Sequence, residues 1–278
     1  MPNAPVETAA RYRLCGTLRY RLLGPVEALR EGEPCTPSAP KQRALLALLL
    51  LNANELVSTS RIVDELWGYL PPRSAVPALQ MYVCALRRAL APGVGDDPRR
   101  HPVLRTLPSG YELLVRADQL DLADFRALAS RGRAALAGRR CVLAGALFRR
   151  ALALWRGPAL VDLSRDGALD RYAARLDGER LTLLEARIGV DLCQGRGAEV
   201  VGELTELCDR FPLREEPHQQ LMLALAVAGR RAEALDVYTR ARAVMVAEAG
   251  IEPGPGLRAA QQALLAGRRP PNGAHDQH

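Results

Sequence analysis

A chain of 278 residues, 48% hydrophobic and 4% aromatic, has room for about two domains whose cores are mainly Ala and Leu, which favours helices over a sandwich. A mean hydropathy of −0.08 describes a soluble globular protein; nothing resembles a membrane span or a basic start before an apolar run, so a cytoplasmic, nucleoid-associated protein is expected. Net charge is +7 and unevenly placed, with 15 basic against 10 acidic side chains in residues 1–116, which makes nucleic acid the natural partner.

Residues 1–16 are polar and proline-bearing at the start, and are expected to be flexible. From Leu18 the pattern alternates, with Leu18, Tyr20 and Leu22 on one side and Arg19 and Arg21 on the other. Gly24-Pro25 breaks the run and Val26 and Ala28 resume it, which predicts short strands around a turn. Pro40 precedes Lys41-Gln42-Arg43 and then ALLALLLLNAN, a helix of good formers ending at Asn52 or Asn54. Ser58-Thr59-Ser60 offers an N-cap for a second helix over Arg61–Trp67, with Ile62, Val63, Leu66 and Trp67 as its apolar side. Gly68 stops it, and Tyr69-Leu70-Pro71-Pro72 makes a loop.

The stretch that follows organises the rest. Leu79, Val83, Leu86 and Leu90 are spaced by four, three and four, which lines one face of a helix with apolar groups. Ser74 is placed to cap it, and Pro77 falls in the first turn, where a missing N–H costs little. The other face carries Gln80, Met81, Cys84 and Arg88, with Tyr82 and Arg87 on the flanks. Alone, this is an ordinary amphipathic surface helix; after another helix and a loop, it is the second helix of a helix-turn-helix, suited to the DNA major groove. Beyond it, Val103–Leu107 and Tyr111–Val115 flank Pro108-Ser109-Gly110, which reads as a β-hairpin, the wing.

From Asp118-Gln119-Leu120-Asp121-Leu122 onward almost everything has helical period. DLADFRALASRGRAALAGRR is one helix; CVLAGALFRRALALWRGPAL is a second, presenting Leu143, Leu147, Ala151 and Leu154 and ending at Gly157-Pro158. A long helix from about Leu169 to Cys193 turns Leu176, Leu184 and Ile188 inward. Gly195-Arg196-Gly197-Ala198-Glu199 then recurs as Gly229-Arg230-Arg231-Ala232-Glu233, an offset of 34 residues, each block closing one helix and opening another. That period marks tetratricopeptide-like helix pairs, whose stacking leaves a concave surface for a partner. Glu252 to Gly256 is a stiff turn, not a phosphate loop.

Chemistry-bearing patterns are scarce. The six cysteines show no C-x-x-C pairing and the four histidines are scattered, so no metal site is expected and the thiols read as small, partly buried side chains. There is no G-x-S-x-G, no dinucleotide glycine pattern and no G-x-x-x-x-G-K-[ST], so neither an enzyme nor a cofactor is expected. A receiver domain does not fit ahead of Leu18, so control by protein level, a ligand or a partner is expected over phosphorylation.

LRYRLLGPVEAL, PKQRALLALLLLNAN, IVDELWG, ALQMYVCALRRAL and LPSGYELL resemble, in order, the blocks of the winged-helix domain of the SARP family of antibiotic regulatory proteins of actinomycetes. ALALWRGPAL, FPLREEPHQQLMLALAVAGR and AEALDVYTRARAVMVAEAGIEPGPGLRAAQQALLAG resemble the bacterial transcriptional activation domain that follows it in that family. The resemblance implies a mainly α fold with small β elements: an OmpR/PhoB-like winged helix-turn-helix, then a TPR-like all-α activation domain. It divides the chain into a flexible N-terminus (1–16), a DNA-binding domain (17–116), an activation domain (117–267) and a disordered tail (268–278).

Phosphate contacts are assigned to Lys41, Arg43, Ser60, Arg73, Tyr82, Arg87 and Arg88. Gln80 can offer a bidentate amide to adenine and Met81 an apolar contact to a thymine methyl, while Arg105 and Ser109 are placed for the minor groove, with Gly110 allowing close approach. Tyr82 could equally pack on the helix-turn-helix core, and Arg87 and Arg88 could be solvated. Where relatives usually carry a basic residue this chain has Ala85 after Cys84, and Val76-Pro77 near the helix start, which implies weaker guanine reading. The resemblance implies a transcriptional activator of a secondary-metabolite gene cluster that binds direct repeats as a homodimer. Trp67, Tyr69 and Leu70 would then touch RNA polymerase or its σ factor. The alternative from a different class is a helical-repeat adaptor with no direct DNA role.

Overall fold

A computed structural model describes residues 17–68, 70–93, 97–99, 101–163, 168–268 and 270. The expectations for residues 1–16, for Tyr69 and for residues 271–278 lie outside the described residues. The chain forms two compact units. Of the described residues, one gathers those from Thr17 to Ala127 together with those in Ala153–Arg180; the other holds Leu128–Leu152 and those from Leu181 to Pro270.

The first unit opens with an antiparallel sheet of β1 (Leu18–Arg21), β2 (Glu27–Arg30) and β3 (Glu33–Pro34), in that order. Alternation puts Leu18, Tyr20 and Ala28 inward, as the period-two pattern requires. Helix α1 (Pro40–Leu51) begins at a proline in the first turn and has six successive buried residues, Leu45 to Leu50. A helix apolar on all sides belongs at the centre of its domain, and α1 packs against α2 (Thr59–Trp67) and α3 (Ala75–Leu90). The Ser58 hydroxyl caps α2 by accepting from Arg61 N, and Gly68 (φ 72°) ends the helix in the left-handed region. In α3 the residues Leu79, Val83, Leu86 and Leu90 are all buried. Ser74 occupies the N-cap position but makes no side-chain cap bond.

A second sheet carries the wing, in the order β4 (Val57–Ser58), β6 (Gly110–Leu113), β5 (Leu104–Leu107). Neither β3 nor β4 was visible in the sequence, because two-residue strands exist only through their partners. The DQLDL segment forms a short 3-10 turn (Ala117–Gln119) and the start of α4 (Asp121–Ala137). The Asp121 carboxylate accepts from Leu22 N (2.8 Å) and Leu23 N (3.1 Å), and Asp162 accepts from Val26 N (2.8 Å). Leu120 also bridges to Tyr20. These ties place Asp121 and the 153–180 segment in the same compact unit as the first sheet.

In the second unit, α5 (Cys141–Leu152) buries Ala144, Gly145, Leu147, Phe148 and Ala151. The expected register is corrected here: Leu143 is exposed, and the helix ends at Leu152, ahead of Gly157. A Cβ on Gly132 of α4 would run into the Phe148 ring, so the glycine lets Phe148 in and sets which face turns inward. Helix α6 (Ala168–Cys193), whose residues as far as Arg180 belong to the first unit, buries Leu176 and Ile188 and packs the partly covered Leu184 against the core, with Leu183 fully covered as well. Then follow α7 (Gly197–Arg210), α8 (Glu215–Val227), α9 (Arg231–Ala249) and α10 (Pro255–Leu265). Gly195 (φ 78°) and Gly229 (φ 77°) take the same left-handed turn ahead of α7 and α9, which is the physical content of the 34-residue repeat. Helix α8, buried from Pro217 to Leu225, is the axis against which α7, α9 and α10 pack.

Candidate nucleic-acid interface

The burial of Leu79, Val83, Leu86 and Leu90 leaves the opposite face of α3 in solvent. Val76, Gln80, Met81, Cys84 and Arg88 are exposed on it, as is Arg73 just ahead of the helix. Val76, Gln80, Cys84 and Arg88 recur every four residues and so stand in one row. Arg73 and Arg88 have no hydrogen-bond or carboxylate partner among the described residues. Their charges remain available to phosphates.

The other cations expected at phosphates are engaged within the fold. Lys41 Nζ donates to the Leu66 carbonyl and sits 5.3 Å from the centre of the Trp67 ring. That carbonyl belongs to the last turn of α2, where a cation is favoured by orphan acceptors and by the helix dipole. Arg43 Nε lies 3.5 Å from Asp162 Oδ2. Arg87 Nε donates to Leu104 O (2.9 Å), and its Nη2 donates to Pro98 O (3.0 Å) and Thr106 Oγ1 (2.7 Å). The half-buried ring of Tyr82 stacks on Trp67, so it packs as well as facing outward.

At the start of α2, Ser60 is exposed and shares a hydrogen bond of 3.1 Å with the Ser58 hydroxyl. Arg61, which sequence reasoning passed over, donates from Nη2 to Tyr172 Oη (2.7 Å) and Asn52 Oδ1 (3.1 Å). In the hairpin Ser109 is exposed, while its carbonyl accepts from Thr59 N (2.9 Å). Arg105 faces Glu112, Nη1 to Oε2 at 3.9 Å, and keeps a half-exposed guanidinium. Gly110 has a different purpose from the expected one: a Cβ there would strike the Val57 carbonyl oxygen, so the glycine serves the β4–β6 pairing.

His101 is also new. It is buried, and its Nδ1 accepts from Val103 N (3.3 Å) and Leu104 N (3.0 Å), fixing the entry to β5. Burial and the nearby Arg87 charge hold its pKa at about 4, so the ring is neutral and keeps that acceptor. No signal in the sequence marked His101 or the inward turn of Arg87, since both depend on a hairpin brought alongside α3.

The exposed thiol of Cys84 stands on this face, and no disulfide joins the described cysteines. Among the described residues, no cluster of His, Cys, Asp or Glu could hold a metal, and no helix is long and apolar enough to cross a membrane.

Residues 120–265 match the bacterial transcriptional activator domain, and residues 32–113 match the C-terminal domain of transcriptional regulatory proteins. The chain is similar to Regulatory protein DnrI of Streptomyces peucetius, 39% identical over 250 residues that cover 89% of this chain and 92% of that protein. It is 42% identical over 250 residues to Regulatory protein AfsR of Streptomyces coelicolor, covering 90% of this chain but only 24% of that longer one. Among solved structures, Mycobacterium tuberculosis EmbR in complex with a low affinity phosphopeptide superposes with a TM-score of 0.84 at 34% identity, covering 92% of this chain and 67% of that one. These families and relatives are transcriptional regulators and not enzymes, and the chain, mainly helical with a winged-helix domain followed by an activator domain, belongs to the SARP family of antibiotic regulatory proteins.

Proposed function

We propose that the chain activates transcription by binding direct repeats in promoters of a secondary-metabolite gene cluster. Two copies would bind side by side, one helical turn apart, so that both α3 helices meet the same side of the duplex. The observation that carries this reading is the exposed face of α3, where Gln80 and Met81 lie between the guanidinium groups of Arg73 and Arg88, neither of them partnered among the described residues. An amide and an apolar tip are suited to adenine edges and thymine methyls, and the flanking cations to phosphates. Ser60, Ser109 and the half-exposed Arg105 extend that face toward the backbone and minor groove.

Lys41 and Arg43 support this surface from behind by holding the end of α2 and the start of α1. Leu70, 92% exposed and three residues beyond Trp67, gives the loop between α2 and α3 an apolar tip for RNA polymerase or its σ factor. A large side chain so exposed has no packing role in the monomer. Such a protein works at the chromosome, in the cytoplasm.

The test is a low-salt gel shift and footprint with promoter fragments beside the chain's own gene. Protection of two repeats on one face of the duplex supports the reading. No preference over random competitor DNA defeats it, and leaves the adaptor reading in its place.

A further inference from the structure

Resting on that DNA-binding reading, we propose that Arg87 is a positioning residue. It locks the hairpin to the reading helix so that both meet one operator, and it is not a phosphate contact. Arg87 lies one turn from the end of α3, on a helix whose inward face is already filled by Val83, Leu86 and Leu90. From there its guanidinium reaches three acceptors on the segment leading into and along the hairpin: Pro98 O, Leu104 O and Thr106 Oγ1. Two of them, Leu104 and Thr106, are on β5 itself, facing β6 across the antiparallel ladder.

The brace continues. The Leu104 amide is held by His101 Nδ1, so Leu104 is fixed at its N–H by the imidazole and at its carbonyl by Arg87. The far end of the hairpin is tied separately, through Thr59 N to Ser109 O, to the start of α2. One end of the wing therefore hangs on the first helix of the helix-turn-helix, and the other on the second. A fork with several N–H groups in one plane can satisfy several acceptors at once; a lysine ammonium has the same charge but not that geometry. Arg88, the next residue, is exposed and has no partner among the described residues, so two adjacent arginines divide the work: one points to DNA, the other to the wing.

The experiment compares Arg87→Lys, Arg88→Lys, Arg88→Ala and Thr106→Val in the full chain, each checked for folding by circular dichroism. Amide exchange is measured without DNA, and operator affinity is measured across a salt series. If Arg87 braces the wing, Arg87→Lys speeds exchange of the β5 amides and weakens operator binding by about tenfold, with the slope of log affinity against log salt unchanged. Thr106→Val, which leaves every charge in place, shows the same pattern more weakly, and Arg88→Lys stays close to the parent. Arg88→Ala alone lowers the slope, by about 0.9 for one lost phosphate.

Unchanged β5 exchange in Arg87→Lys and Thr106→Val overturns the brace whatever the DNA does. Full operator affinity in Arg87→Lys overturns it as well. Failure of the parent chain to bind any operator defeats the DNA-binding reading instead, while the exchange measurement still decides the brace.

Discussion

Trp67 and Tyr82 form an offset stack, their ring centres 6.0 Å apart and their planes 7° from parallel. Trp67 ends α2 and Tyr82 lies midway along α3, so the stack clamps the two helices just below the loop that joins them. Lys41 Nζ lies over the Trp67 ring as well, 5.3 Å from its centre. Tyr82→Phe keeps the stack and should leave thermal stability unchanged. Tyr82→Ala removes a ring pair and should cost about 2–4 kcal/mol in urea denaturation, the sum of lost burial and stacking. In a reconstituted transcription assay it should lower activation more than operator affinity, because the loop carrying Leu70 loses its support. Equal losses in both would remove the loop from the activation step.

Gln80 and Arg88 stand in the same exposed row but should fail differently. Gln80→Ala removes a base contact, so selected operator sequences should change at one position, at a cost of about 1–3 kcal/mol. Arg88→Ala should weaken all sequences alike and flatten the salt dependence by about one phosphate. Randomised-site selection followed by a salt titration separates the two. If neither substitution changes DNA affinity, α3 is not the reader.

The buried stripe of α3 was legible because helical period alone decides which side of an isolated amphipathic helix faces a core. Leu79, Val83, Leu86 and Leu90 needed no knowledge of their partners. The doubled turn at Gly195 and Gly229 was legible for a similar reason, since a left-handed residue after a helix calls for glycine. Helix α5 was legible only in part, because apolar residues cover so much of its circumference that period placed Leu147 and Ala151 inward but added Leu143. The gap left by Gly132, filled by Phe148, sets the inward face and puts Leu143 in solvent. The cations were the hardest to read. Arg87 and Arg88 are adjacent and chemically identical, and only the position of Leu104, Thr106 and Pro98 ties one to the hairpin and leaves the other without a partner among the described residues.

His101 makes the wing sensitive to acid. Its pKa is about 4 in the fold against 6.5 for an ordinary imidazole, because it is buried and faces Arg87. The unfolded chain therefore takes up this proton first. The contribution to stability is complete above about pH 6.5 and declines as pH falls towards 4. His101→Asn offers an acceptor near the Nδ1 position without a titrating ring. The parent should lose melting temperature faster than this variant between pH 7 and 4.5, and parallel curves would refute the assignment.

Two glycines should respond in opposite directions to alanine. At Gly110 the new methyl meets the Val57 carbonyl, backbone that cannot yield without breaking the β4–β6 pair. Gly110→Ala should cost about 1–3 kcal/mol. Gly202 lies in α7 with open space where its Cβ would stand, so Gly202→Ala should stabilise by about 0.5–1 kcal/mol through helix propensity alone. Urea midpoints measure both, and loss of stability in Gly202→Ala would show that the α7 surface is covered.

Asp191 gathers three arginines in the helical unit. Its carboxylate is 4% exposed and receives Arg149 Nη2 at 2.6 Å, Arg187 Nη1 at 2.9 Å and Arg196 Nη2. Burial works against ionisation, but the hydrogen bonds from Arg196 and Arg187 and the charge of Arg149 outweigh it and hold the pKa below the ordinary aspartate value. A depressed acid contributes stability above its unfolded pKa, and that stability is lost as pH falls through the lower folded value. Asp191→Asn leaves the largely buried Arg187 with only Glu203, and leaves Arg149 and Arg196 directed at a neutral amide. Removing one partner of a buried pair costs about 3–5 kcal/mol, so the variant should show a clearly lowered urea midpoint at pH 7. The gap from the parent should narrow in acid, where the parent's own carboxylate takes up its proton. A gap that stays constant from pH 7 to the acid transition would mean that Asp191 holds the arginines by shape and not by charge.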